Sequence, residues 1–153
     1  MKPANLLRIA SVLTFIHAIL HTVGGVFGPI QPGPASIAAA AMKANAFPAF
    51  GHVRTFWEFY RGMGLAVSIF LTAEAFVFWQ LAALATTRAK DLRPVLATFT
   101  VAYVAMAVNS YSYFFTVPVI VELIIAACLV AAIVTAGRSV QEPLAASAAS
   151  AAL

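Results

Sequence analysis

The sequence predicts an all-α fold: an integral membrane four-helix bundle, antiparallel in up-down-up-down order. Three observations predict it. Of 153 residues, 63% are hydrophobic and only 9% charged, with a mean hydropathy of +0.95, where a soluble domain carries about a quarter charged residues. Nine Lys and Arg with five Asp and Glu cannot coat that much apolar material for water. Finally, stretches of roughly 20 mostly apolar residues, the length that crosses about 30 Å of hydrocarbon as a helix, recur four times along the chain.

The first span covers about 6–26, LLRIASVLTFIHAILHTVGGV, and is ended by Gly24, Gly25 and Pro29. The second covers about 54–87, longer than one crossing needs, so the excess is tilt or a projection past the membrane. The third, about 94–115, opens on Pro94, which suits a first helical turn. The fourth covers about 118–136. The two-residue link 116–117 makes the last two spans an antiparallel hairpin. These spans form one domain over 1–137, and 138–153, ending in QEPLAASAASAAL, reads as a disordered cytoplasmic tail. A cleavable signal peptide is the alternative for the first span. Its length, its two histidines and the lack of a small-residue cleavage site favour a retained helix.

The loop 27–53 is long for so small a protein, which points to a functional segment. GPIQPGP cannot be a regular helix. ASIAAAAMKANA reads as a short helix lying at the interface or folding back as a lid. FPAFGH brings two aromatics and a histidine to the mouth of the second span. Lys2, Arg8, Arg88, Lys90, Arg93 and Arg138 fall on one side of the spans, Lys43 and Arg54 on the other. The positive-inside bias therefore puts both termini in the cytoplasm and turns the 27–53 loop outward.

Polar residues inside the spans are costly and normally face the bundle interior or a wet cavity. His17 and His21 lie in the outer half of the first span, four residues apart on one face. Glu58 and Arg61 lie in the first turns of the second span and are spaced to pair with each other. Met106, Asn109 and Tyr113 form a stripe near the end of the third span, beside Ser110, and Glu122 lies early in the fourth. At about 1.5 Å per residue all fall at one level, in the outer half of the bilayer. That convergence predicts a polar pocket, roofed by the 27–53 loop, that binds a membrane lipid or another lipophilic small molecule. Glu74 lies off the Glu58 face, and the sequence leaves two readings for it: a bond to a polar neighbour such as Thr14 or Tyr103, or a carboxyl kept protonated by burial.

Within that pocket His21, Glu58 and Glu122 are the candidate catalytic groups, since a histidine and a buried carboxylate can trade protons near neutral pH. His17, Arg61, Asn109, Tyr113 and Trp57 are the candidate substrate-binding groups. The expected chemistry is acid–base, of the isomerase or epoxide-opening type, on an isoprenoid or sterol-like substrate. Bland readings stand beside these roles: Glu58 and Arg61 as a structural ion pair, the histidines as interhelical hydrogen-bonding groups, and Trp57, Tyr60, Tyr111 and Tyr113 as interfacial anchors. Gly62 and Gly64 read as close-packing positions rather than ligand contacts. No metal and no cofactor is expected, because the span histidines lack a Glu-x-x-His context and no second axial partner suits a haem. With one cysteine, Cys128, no thiol pair offers a redox relay, and the scattered cations form no surface for nucleic acid.

Two resemblances accompany these residues. LLRIASVLTFIHAILHTVGG is similar to the opening helix of DoxX-like four-span bacterial membrane proteins. FWEFYRGMGLAVSIFLTAEAFVFWQLAAL resembles a signature of small uncharacterised membrane proteins near that group. The likeness covers about the first 85 residues, including His21, Trp57, Phe59, Tyr60, Gly62 and Gly64. It implies a bacterial inner membrane as the setting and, as the alternative function, a non-enzymatic small membrane subunit of a quinone- or redox-linked complex with a membrane-complex partner; a homodimer is expected separately, because four short helices bury little of the long second span. A fainter likeness is to the sterol-isomerase-like fold, which encloses His and Glu in a lipid-open cavity but has five spans where this chain has four.

Overall fold

The computed structural model describes residues 1–138; the stretch 139–153, most of the expected disordered tail, lies outside the described residues. The elements are α1 (Pro3–Leu20), which continues as π-helical turns over His21–Val26, then α2 (Pro34–Ala44), β1 (Ala46–Ala49), β2 (His52–Thr55), α3 (Phe56–Arg88), α4 (Arg93–Tyr113) and α5 (Thr116–Arg138). Four helical stretches are long and apolar enough to cross a membrane: Pro3–Val26, Phe56–Arg88, Arg93–Tyr113 and Thr116–Gly137. The chain is thus mostly helical, with the helices of a multi-pass membrane protein. The described residues divide into two compact units, 1–15 with 74–138, and Ile16–Ala73.

In the first unit, the beginning of α1, the end of α3, and α4 and α5 share one apolar core. Leu7, Ala10, Phe78, Ala82, Leu96, Tyr103, Ile125, Leu129 and Ala132 are its most buried members. The Phe78 ring packs edge-on against Phe99 at 5.0 Å and lies tilted against Tyr103 at 6.0 Å. On α4 the buried residues are Leu96, Tyr103, Ala107 and Ser110, spaced by seven, four and three as one helix face requires. α4 ends at Tyr113 because Phe114 leaves the helical region, its N–H closing on the Ser110 carbonyl at 2.9 Å. α5 restarts at Thr116, since Pro118 is tolerated in a first turn. The link is therefore Phe114–Phe115, two residues before the expected one, and it is just as short.

The second unit holds the end of α1, the long loop and the first half of α3. Thr22 donates its hydroxyl to the Ala18 carbonyl at 2.7 Å, and the N–H of Phe27 reaches back five residues to Thr22 at 3.0 Å. That is a π-type turn, a form common where a helix end is re-aimed. Gly28 then lies so near the Gly24 carbonyl that a Cβ there would overlap the oxygen, so only glycine fits. α2 starts after Gly33 at φ +87°, with Pro34 in its first turn, and ends where the Asn45 amide side chain donates to the Ala41 carbonyl at 2.8 Å.

A β-hairpin follows that the composition does not announce. β1 and β2 pair antiparallel in the register Ala46–Thr55, Phe47–Arg54, Pro48–Val53 and Ala49–His52. The two-residue turn between them is Phe50-Gly51, both at positive φ, +47° and +83°. Such turns match strand twist and favour Asn-Gly or Gly-Gly; a side chain with a Cβ held there costs about 1 kcal/mol. Phe47 packs on Phe56 and Phe59 at 4.8 and 5.8 Å between centroids, and the Phe56 N–H donates to the Asn45 carbonyl at 3.2 Å. The hairpin is thereby fixed to the first turns of α3.

Candidate functional site

α3 begins with a reciprocal cap. The Glu58 N–H donates to the Thr55 hydroxyl oxygen at 3.1 Å, while the Thr55 N–H and hydroxyl donate to Glu58 Oε2 at 2.8 and 3.1 Å. This satisfies helix N-terminal donors that have no intrahelical partner. Glu58 is exposed, and its carboxylate turns to Thr55 rather than to Arg61. Arg61 instead lays its guanidinium over the Phe27 ring, 4.5 Å from the centroid. Trp57 stacks on Tyr60 at 5.7 Å and receives the Lys43 ammonium at 4.9 Å, a cation–π contact at the mouth of the helix.

The two histidines of the same unit behave differently. His21 Nδ1 lies 3.0 Å from the Ser68 hydroxyl, which also reaches the Gly64 carbonyl at 3.3 Å. A hydroxyl has one proton. When Ser68 gives it to Gly64, His21 Nδ1 must be the donor and its Nε2 is left as an acceptor. His17 is 7% exposed, and its Nδ1 is buried with no hydrogen-bond partner. Gly64 allows close packing here, as expected: a Cβ on it would meet Val26 Cγ2 at 2.9 Å, whereas one on Gly62 would meet nothing. Within this unit no hydrogen bond or ion pair joins any two of His17, His21, Trp57, Glu58 and Arg61.

In the first unit the polar groups line up as two clusters. Tyr103 donates its hydroxyl to Glu74 Oε2 at 2.9 Å and lies 3.1 Å from the Thr14 hydroxyl. With the tyrosine proton on the carboxylate side, Thr14 is the donor to Tyr103, so the chain runs Thr14 to Tyr103 to Glu74. Ser11 donates to the Ala75 carbonyl at 2.7 Å, a second polar tie between α1 and α3. The other cluster is smaller. Ser110 donates to Glu122 Oε1 at 3.0 Å; Glu122 is 2% exposed, and its Oε2 is buried without a partner. Asn109 and Tyr113 lie on the exposed face of α4 and do not bond to Glu122.

Several of these residues carry signals in the sequence. Thr55-x-x-Glu58 before an apolar run is the capping-box pattern. Ser11, Thr14, His17 and Ala18 continue the buried Leu7–Ala10 face of α1 at helical spacing, and Ser110 continues the Tyr103–Ala107 face of α4. Ser68 likewise continues the buried Leu71–Ala75–Phe78 face of α3 at helical spacing. Among the described residues no three His, Cys, Asp or Glu side chains come together as metal ligands. Chemically, then, the structure offers an orphan carboxyl oxygen and an orphan imidazole nitrogen, each in an apolar setting. Comparison with protein-family models, characterised proteins and solved structures gives no match.

Proposed function

We propose that this is a four-span protein of a bacterial inner membrane, its helices antiparallel in up-down-up-down order and its termini cytoplasmic, that binds a lipophilic small molecule through a polar head group. One observation carries the reading: Glu122 Oε2 is buried and has no hydrogen-bond partner. Leaving a buried polar atom unsatisfied costs about 1–3 kcal/mol, more for a charged group, and native proteins rarely leave one so. Glu122 lies six residues into α5, about 9 Å along the helix from Thr116, beside Ser110 three residues from the end of α4. A ligand hydroxyl at that depth would donate to the free oxygen while its apolar body lay among the neighbouring spans. An isoprenoid or sterol-like alcohol has that chemistry.

His17 Nδ1 supports the same reading separately, as a second buried atom that lacks a partner. Acid–base turnover of the ligand, of the isomerase or epoxide-opening type, would require His21 or Glu122 to exchange a proton with it. Binding is the more economical statement, because Glu58, the third group of that scheme, is engaged in capping α3. The DoxX-like subunit reading needs a stable partner protein instead of a ligand.

Native mass spectrometry of gently extracted protein separates these readings. The expected result is an adduct of a few hundred daltons on the wild type that is lost on Glu122→Leu. Protein that carries no adduct in any mild extraction, and whose melting is unmoved by isoprenoid or sterol alcohols, overturns the proposal. A copurifying protein of fixed stoichiometry would favour the subunit reading.

A further inference from the structure

The hairpin tip carries a side chain that its own backbone disfavours. Phe50 is the one non-glycine residue at positive φ among the described residues, and it is fully exposed. The turn asks for Asn or Gly at this position, so the ring is not there to make the turn. Nor does it help the aromatic cluster below, which Phe47, Phe56 and Phe59 form among themselves. Val53, on the following strand, is also exposed. The segment that carries this apolar tip has charge of one sign. Arg54 lies on β2 and Lys43, over the Trp57 ring, near the end of α2, while 27–57 contains no Asp or Glu. Glu58, the first acid after it, is held by Thr55.

An exposed aromatic on a segment that carries cations and no acids is complementary to an anionic lipid surface, where aromatic rings settle at the headgroup level and cations gain from the surface potential. Reach permits it. β2 runs without a linker into α3, the second apolar helix, so Gly51 is five residues, at most about 17 Å, from Phe56. The hairpin is held rigidly to α3 by the Phe47 ring and the Asn45–Phe56 bond. We propose that the Phe50 tip, with Val53, enters the headgroup layer of an anionic bilayer while His52, Arg54 and Lys43 engage lipid phosphates. The hairpin then acts as an interfacial anchor that fixes the outer segment against the membrane. This rests on the four helices being membrane spans, not on ligand binding at Glu122, which the mass measurement tests without touching the hairpin.

The test places a nitroxide at Phe50→Cys in a Cys128→Ala background, in nanodiscs of phosphatidylglycerol or of phosphatidylcholine. Collision rates with oxygen and with a water-soluble nickel chelate then report its depth. The expected result is a label below the phosphate level in phosphatidylglycerol, with nickel accessibility about thirtyfold lower than in phosphatidylcholine, roughly the preference that two surface cations confer. A label open to nickel in both lipids overturns the proposal. So does a label shielded from both reagents whatever the lipid, which would mean a protein contact, from a partner or a second copy.

Phe50→Asn supplies the second measurement without a label. It gives the turn its preferred Asn-Gly, so the hairpin stays folded. Amide exchange over 51–54 should be slower in phosphatidylglycerol than in phosphatidylcholine for the wild type, and this difference should shrink in Phe50→Asn, which keeps the cations and loses the ring. A lipid-dependent difference as large in Phe50→Asn as in the wild type also overturns the proposal.

Discussion

Two glutamates open two apolar helices and have come to opposite ends. Glu58, in the first turn of α3, is exposed and has the Thr55 N–H and hydroxyl on one carboxylate oxygen. Glu122, in the second turn of α5, is buried and has one serine hydroxyl for its two oxygens. By depth along a span they are nearly equivalent, and depth alone would assign them the same task. The difference is local. Glu58 has a threonine three residues before it, and the pair closes a capping box that needs no tertiary structure. Glu122 has no such neighbour within its own helix, so its environment is made by α4. A carboxylate satisfied by its own helix start is architecture; one that depends on another helix and remains half-satisfied is where a ligand has something to gain.

The sharpest way to break this contrast is Ser110→Ala. It leaves both oxygens of Glu122 buried without a partner, and the expected loss is about 3 kcal/mol in unfolding free energy, read by unfolding in mild detergent or bicelles. Adding Glu122→Leu removes the orphan with its partner and should restore most of that loss, as replacing both members of a buried polar pair by apolar groups commonly does. The double variant should still lack the lipophilic adduct. Restored stability with the adduct retained would mean that Glu122 is not the ligand's partner.

Tyr103→Phe comes next. It removes one hydroxyl that serves Thr14 and Glu74 together, with an expected cost of about 2 kcal/mol. Thr14→Val should cost less, because Glu74 keeps its donor. If the two variants cost the same, the hydroxyls do not act as a chain, and Glu74 belongs with Glu58 rather than with Glu122.

The spans were legible because lipid demands uninterrupted apolar length, and the four helical stretches fall within a few residues of the expected bounds. Which face of each helix is buried was harder to read. On α4 the sequence offers two stripes, Met106–Asn109–Tyr113 and Tyr103–Ala107–Ser110, both at helical spacing. What separates them is the small Ala107, which lets another helix approach, and the packed face is the one with the alanine. Asn109 is the more polar of two neighbours, yet it lies on the exposed side and Ser110 on the packed one. The hairpin was hidden by its own chemistry: Pro48 sits in β1, where proline is tolerated because each strand of a two-stranded sheet has a free edge. Its turn is Phe-Gly instead of a recognisable Asn-Gly.

The smallest expected effects lie at the cap and complete the contrast. Thr55→Ala removes the hydroxyl that accepts the Glu58 N–H and donates to its carboxylate, and should cost about 1 kcal/mol, the usual price of a lost cap. Glu58→Gln should leave stability unchanged within measurement, since glutamine serves at the third position of a capping box as glutamate does. It should also leave the bound adduct in place. Glu122→Gln at the other helix start should not be silent, because an amide presents a fixed donor and a fixed acceptor to a buried site where Ser110 already donates to one oxygen. The readout is a pair of melting curves and a pair of native mass spectra. Two silent glutamines would place both acids in architecture, and a Glu58→Gln variant that loses the adduct would return that residue to the binding site.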